Sequence, residues 1–228
     1  MIRPLLLLIL IVWGAGNGLA RAANMDMQLV LAIDVSSSVS WDEYNLQMRG
    51  VANAFRDEMV IEAIGAGPTG QISVAVTHWA GQGEQQVVVD WRVIASPEEA
   101  RAFADTLDNT PRAFPYGGTA IAGALAHAHS LFAKDRNVSL HRVIDVSGDG
   151  ESSIGPPPMA MRDRVVRDGV IINGLPILDE KTDLEQYYRE SVIGGDGAFT
   201  EPAKGYDDFS RAIAAKLARE IRGTWRGV

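Results

Sequence analysis

Residues 34–38 read Asp-Val-Ser-Ser-Ser and follow directly on the apolar run 29–33, Leu-Val-Leu-Ala-Ile. Asp34, Ser36 and Ser38 therefore stand at alternate positions just past a buried-strand pattern, where a strand end meets the rim of a sheet. One carboxylate and two hydroxyls are hard oxygen donors of low total charge. Such a set suits Mg²⁺, which keeps several waters and accepts few carboxylates, and the same donors accept Mn²⁺ or Ca²⁺ with modest discrimination. Two further segments carry donors of the same kind. Gly117-Gly118-Thr119 precedes a helical pattern, and Ser147-Gly148-Asp149-Gly150 follows an apolar strand. Glycine next to such donors permits close backbone approach.

The elements that must position these residues can be read along the chain. After the first strand, Ser40 and Glu43 form an S-x-x-E capping box, opening an amphipathic helix through Tyr44, Met48, Val51 and Phe55 to about Ile64. Residues 71–79 and 86–93 read as two strands joined by a Gly-rich turn, an antiparallel hairpin. Ser96-Pro97-Glu98-Glu99 supplies a cap, a Pro at the first helical position and acids in the first turn of a helix to about Leu107. An Ala-rich helix spans 120–132, a strand 141–147, a helix starts after Pro156-Pro157-Pro158, and a strand spans 170–178. A short helix covers 184–192 and a short last strand is expected at 197–202. Phe209, Ile213, Leu217 and Ile221 mark one face of a C-terminal helix. Strands alternating with helices, with near-continuous apolar strands, predict an α/β fold: a doubly wound, mostly parallel sheet with one antiparallel edge strand, Rossmann-like. In such sheets ligands bind beyond the carboxyl ends of the strands at a switch point, where Asp34–Ser38, Thr119 and Asp149 are all expected.

The chain has 228 residues, 46% hydrophobic and 22% charged, which suits one domain with a full core. Its first segment stands apart. Arg3, the apolar run Leu5–Trp13 and Ala20-Arg21-Ala22 have the n-region, h-region and small-residue site of a secretory signal peptide. The apolar run is short for a ~20-residue membrane span. Residues 1–22 are thus expected to be a cleaved signal and 27–224 the domain, with no stable membrane insertion afterwards. The formal net charge is −8, and losing Arg3 and Arg21 makes it about −10, which argues against nucleic acid and anionic membrane surfaces as partners. Cysteine is absent, so disulfides, thiol catalysis and cysteine-bound metals are excluded.

The order Asp34-x-Ser36-x-Ser38, then Gly117-Gly118-Thr119, then Ser147-Gly148-Asp149-Gly150 resembles a von Willebrand factor A (vWA) domain, over nearly all of the chain after the signal. More narrowly, the chain is similar to bacterial exported A-type domains of unknown function, of the DUF1194 type. The resemblance implies a metal-ion-dependent adhesion site (MIDAS). Ser36 and Ser38 would be direct ligands, Thr119 direct or through water, and Asp34 and Asp149 ligands mainly through water. One vertex would stay open for an Asp or Glu carboxylate of a partner protein. Members commonly have Thr-Asp-Gly directly after the strand. Here Asp149 is the match because it precedes Gly at the strand end, and Asp145 is expected to be a core or sheet-face carboxylate.

The expected function is an exported, periplasmic or secreted, metal-dependent protein-binding module and not an enzyme. The alternatives are a metal-dependent hydrolase and an assembly subunit with a vestigial metal site. Against a hydrolase, the G-x-S-x-G elbow is missing, no His follows a strand end where a triad needs one, and Ser36 stands where an aspartyl phosphatase would want a second acid. His127 and His129 are two apart on a helix and point in different directions. Trp79 and Trp91 are expected to be core or edge-covering residues, and Arg162–Arg167 a solvated helix face.

Overall fold

The structure, a computed structural model, describes residues 24–179 and 183–226. The signal segment 1–22 therefore lies outside the described residues. The 27–34 run (β1, Met27–Asp34) is buried at every position, as a run apolar on both faces demands. It occupies the centre of a five-stranded sheet with β2 (Ile72–Trp79), β3 (Gln85–Ile94), β4 (Arg142–Gly148) and β5 (Val170–Pro176). The order is β3-β2-β1-β4-β5. β1 pairs parallel with both β2 and β4, and β4 pairs parallel with β5. Only β3 runs antiparallel, against β2. The chain winds outward from β1 in both directions, so the ends of β1 and β4 form the switch point of the sheet.

Alternate residues of β1 feed two cores. Met27, Leu29, Leu31 and Ile33 pack with Tyr44, Met48, Val51 and Phe55 of α1 (Trp41–Arg56), with α2 (Glu58–Gly65), with Phe103 and Leu107 of α3 (Pro97–Asp108) and with the stripe of α7 (Phe209–Arg226). Val30 and Ala32 pack with Ile121, Leu125 and Leu131 of α4 (Ile121–Leu131), Val165 of α5 (Met159–Arg167) and Leu184 and Tyr188 of the α6 region (Leu184–Tyr187). Among the described residues no helix is long and apolar enough to cross a membrane.

Two expectations are corrected. The helix from Ser40 to about Ile64 is two helices, because Asp57 takes an extended conformation and its carboxylate accepts the Met59 N–H at 2.8 Å, capping α2. No strand forms at 197–202. Thr200 and Ala203 make isolated bridges to Gly174 and Ile177, and the Asn173 side chain accepts the Phe199 N–H at 2.9 Å where a ladder partner would be. The segment still covers the β5 edge, as an exposed edge requires.

α7 is fixed to the sheet by charge as well as by its apolar stripe. Lys216 is fully buried and lies 2.6 Å from Asp145 on β4 and 2.5 Å from Glu220 one turn along. Asn173 on β5 donates to Glu220 at 2.7 Å. Asp145 is thus the sheet-face carboxylate anticipated from its place inside the strand. Burial is the main cause that raises its pKa to about 7, opposed by Lys216 and reinforced by Glu220.

Candidate metal site

Asp34 is the last residue of β1 and is fully buried. Its Oδ1 accepts the Ser36 N–H at 2.8 Å, the local turn bond that aspartate makes two residues on. The loop that follows is held from outside. Gln47 of α1 donates to the Asp34 carbonyl at 3.2 Å, and Arg112 donates to the Val35 and Ser36 carbonyls at 2.8 Å each. Ser36 is buried and Ser38 exposed. Their hydroxyls are 3.2 Å apart, and Ser38 donates to Asp149 Oδ1 at 2.7 Å. Asp34, Ser36, Ser38 and Asp149 are therefore linked by direct hydrogen bonds across two loops.

Thr119 joins through backbone. The Ser37 N–H donates to the Gly117 carbonyl at 2.9 Å. Thr119 exchanges two 2.9 Å bonds with Ser153, its N–H to Ser153 Oγ and its carbonyl from the Ser153 N–H. Gly117 has φ +131, which strains any residue with a side chain, and a Cβ there would lie 2.2 Å from Glu84 Oε2 and 3.0 Å from the Ala80 Cβ. Each sequence-predicted site residue thus stands on one of three loops joined to one another at the carboxyl ends of the strands.

What the arrangement can hold follows from its atoms. Among the described residues Asp34 Oδ2 is buried without a hydrogen-bond partner, and an unpaired buried carboxylate oxygen is costly. A Cβ at Gly148 would come 2.8 Å from that same oxygen and 2.8 Å from the Tyr188 hydroxyl, so glycine leaves the space beside it open. Asp34 has its pKa raised to about 7, first by burial and then by the charge of Asp149. Two close carboxylates, three nearby hydroxyl residues and an orphan oxygen fit a hard divalent cation, whose charge would offset the repulsion. Among the described residues no group of three or more His, Cys, Asp or Glu side chains offers an alternative.

Three supporting residues were not anticipated from sequence. The Tyr206 hydroxyl, just before α7, donates to Asp149 Oδ2 at 3.0 Å. Tyr188 is fully buried near Asp34, and its pKa is pushed well above the ordinary value by burial and then by Asp34 and Asp149. Arg112 is the third. Their sequence separations from the residues they serve leave no local signal. His129 pairs with Asp168 at 3.3 Å, and the buried His78 accepts the Ala113 N–H at 3.4 Å and meets the Tyr44 ring edge-on. Trp79 is fully buried, and Trp91 donates to the Leu131 carbonyl at 3.0 Å while packing on Phe132, as an edge-covering residue does. Asp163, Arg164 and Arg167 are exposed, as expected of a solvated helix face, while Arg162 is half-buried and donates to the Glu190 carbonyl at 2.7 Å.

The family model described as "Protein of unknown function (DUF1194)" matches residues 24–225. No curated protein matches the sequence. Among solved structures, the chain is similar to proximal thread matrix protein 1 from the mussel byssus with a zinc-occupied MIDAS motif, at 15% identity and TM-score 0.65, over 89% of this chain and 50% of that one. It is similar to the pilus adhesin SpaC from Lactobacillus rhamnosus GG at 13% identity and TM-score 0.64, over 90% of this chain and 31% of the adhesin. It is also similar to a von Willebrand factor type A protein from Catenulispora acidiphila at 16% identity and TM-score 0.58, over 88% of this chain and 43% of that one. The chain spans half or less of the length of these proteins.

Proposed function

Because this chain belongs to the DUF1194 family and has a vWA-type fold, we propose that it is a metal-dependent protein-binding module whose site is formed by Asp34, Ser36, Ser38, Thr119 and Asp149. The observation that carries the reading is the buried, unpaired Asp34 Oδ2 beside the hydrogen-bonded run Ser36–Ser38–Asp149. Bound there, a divalent cation, Mg²⁺ first and Mn²⁺ or Ca²⁺ after it, supplies a positive centre for a partner's Asp or Glu carboxylate. The chain's own residues do the rest. Asp34 and Asp149 act mainly through water and the hydroxyls are neutral donors, so few charged groups touch a bound ion directly and it keeps positive character toward an incoming carboxylate. Arg112 and Gln47 hold the first loop, Tyr206 orients Asp149, and Gly148 leaves the space. The zinc-occupied motif of the byssus protein supports a cation at this place in the fold.

Binding without catalysis is part of the proposal, supported by the missing nucleophile elbow and by the burial of His78 away from solvent. Export is likewise proposed, from the signal-like residues 1–22, with the adhesin as a comparable setting. Calorimetric titration of Mg²⁺ into the protein and into Asp34→Ala tests the site. Binding to the first and not to the second is expected, and equal affinity would remove the site. Turnover of generic esters or phosphate esters that needs metal and is lost in Ser36→Ala would replace binding with hydrolysis.

A further inference from the structure

The loops that carry the site also carry apolar side chains in solvent. Trp41 is 58% exposed, Tyr116 78% and Ile154 44%. Trp41 and Tyr116 are exposed large aromatics, and both lie here. Trp41 is the first residue of α1, directly after the Ser40 cap. Tyr116 precedes Gly117, whose carbonyl holds the Ser37 N–H at 2.9 Å. Ile154 donates its N–H to the Thr119 carbonyl at 3.3 Å and places Cγ2 2.9 Å from where a Gly118 Cβ would be. Each of the three site loops thus contributes one apolar residue to the rim.

Trp41 is held in place although it is exposed. Its ring meets Tyr44 edge-on at 6.2 Å, and the Arg112 guanidinium lies 5.3 Å from its centroid while donating to the Val35 and Ser36 carbonyls. An exposed aromatic already fixed by its neighbours loses little freedom on binding, which is the character of an interface anchor. The polar part of the rim is acidic: Asp42 and Glu151 are both exposed, beside Trp41 and two residues after Asp149. An incoming carboxylate is therefore welcome at the cation alone, and a second acid next to it meets like charge.

We infer that this rim reads the residues flanking the coordinating acid, so that the partner presents a turn with a single Asp or Glu bordered by bulky apolar side chains. The inference rests on the metal-dependent binding proposed above and adds the identity of the neighbours. It is tested with phage-displayed, disulfide-closed peptides selected on the full chain in millimolar Mg²⁺ and eluted with chelator. The eluted clones are expected to carry one acid with aromatic or aliphatic neighbours. Synthetic versions should bind Tyr116→Ala and Trp41→Ala about tenfold more weakly, with Mg²⁺ affinity by calorimetry unchanged. Tyr116 is so exposed that its truncation leaves the fold intact, which guards against a misfolded Trp41 variant. Clones with an acid but indifferent neighbours, or affinities unmoved in Tyr116→Ala, would overturn the rim while leaving metal-dependent binding in place. Chelator releasing no acid-bearing clones would overturn both.

Discussion

Lys216→Met tests whether charge anchors the C-terminal helix. Lys216 is fully buried with Asp145 at 2.6 Å and Glu220 at 2.5 Å, so one cation serves two buried carboxylates. Methionine keeps the length of the side chain and removes the charge. Breaking a buried pair from one side costs about 3–5 kcal/mol, because the partner acids stay behind uncompensated. For a domain of this size, that corresponds to a fall in Tm of about 6–20 °C. The loss should depend on pH in a fixed direction. Asp145 already has a raised pKa with Lys216 present, and removing the cation raises it further. At pH 8 the variant must protonate Asp145 or keep its charge buried without the cation, whereas near pH 5 Asp145 is protonated in the native state and its share of the penalty disappears. Urea unfolding of wild type and variant at the two pH values, with chelator present throughout so that metal linkage is constant, measures both differences. Adding Asp145→Asn and Glu220→Gln to Lys216→Met should restore much of the loss. A deficit below about 1 kcal/mol at pH 8, or one equal at both pH values, would refute the account.

Asp145→Asn gives the complementary result. A carboxylate with a raised native pKa contributes stability that is complete below its ordinary range and is lost as pH rises through about 7, so wild type should lose stability relative to Asp145→Asn between pH 5 and 8 in urea titrations, and parallel curves would contradict it. Tyr206→Phe removes the 3.0 Å bond to Asp149 and should weaken Mg²⁺ binding by about 10–100-fold in calorimetry, with unchanged affinity showing that Tyr206 does not orient the site. Gly117→Ala forces a side chain into φ +131 and against Glu84, so thermal unfolding should show a loss of about 1–3 kcal/mol, and a wild-type Tm would show that the turn tolerates a Cβ.

Features encoded locally were legible in the sequence. The Ser40–Glu43 box forms both of its bonds, at 3.3 and 2.7 Å, because its members are three residues apart. The central strand was legible from its unbroken apolar run, and the hairpin from two short runs about a Gly-rich turn. Asp34, Ser36 and Ser38 were legible because they stand within five residues at the end of β1, where a turn bonded from Ser36 N–H to Asp34 gathers them. Asp57 carried a local signal too, an aspartate before an acid, but hydrophobic periodicity continued across it and masked the break. The residues that complete the site were not legible. Tyr206 reaches Asp149 across 57 positions, and nothing near either residue indicates the meeting. Lys216 is an intermediate case. An aspartate inside a buried strand needs a cation on the facing element, and the α7 pattern offers a lysine between two stripe residues, although only the packing shows that it turns inward.

The direction of β1 fixes how the domain can be held. Its eight residues carry the chain about 26 Å from residue 27 up to Asp34. Just before it, Asn24 bridges to Val138 at the far pole. The eighteen residues of α7 run about 27 Å back the other way, starting beside Tyr206. Any tether joined at residue 24 or residue 226 therefore grips the domain from behind. The loops with the acids and hydroxyls lie at the opposite pole from both of those positions.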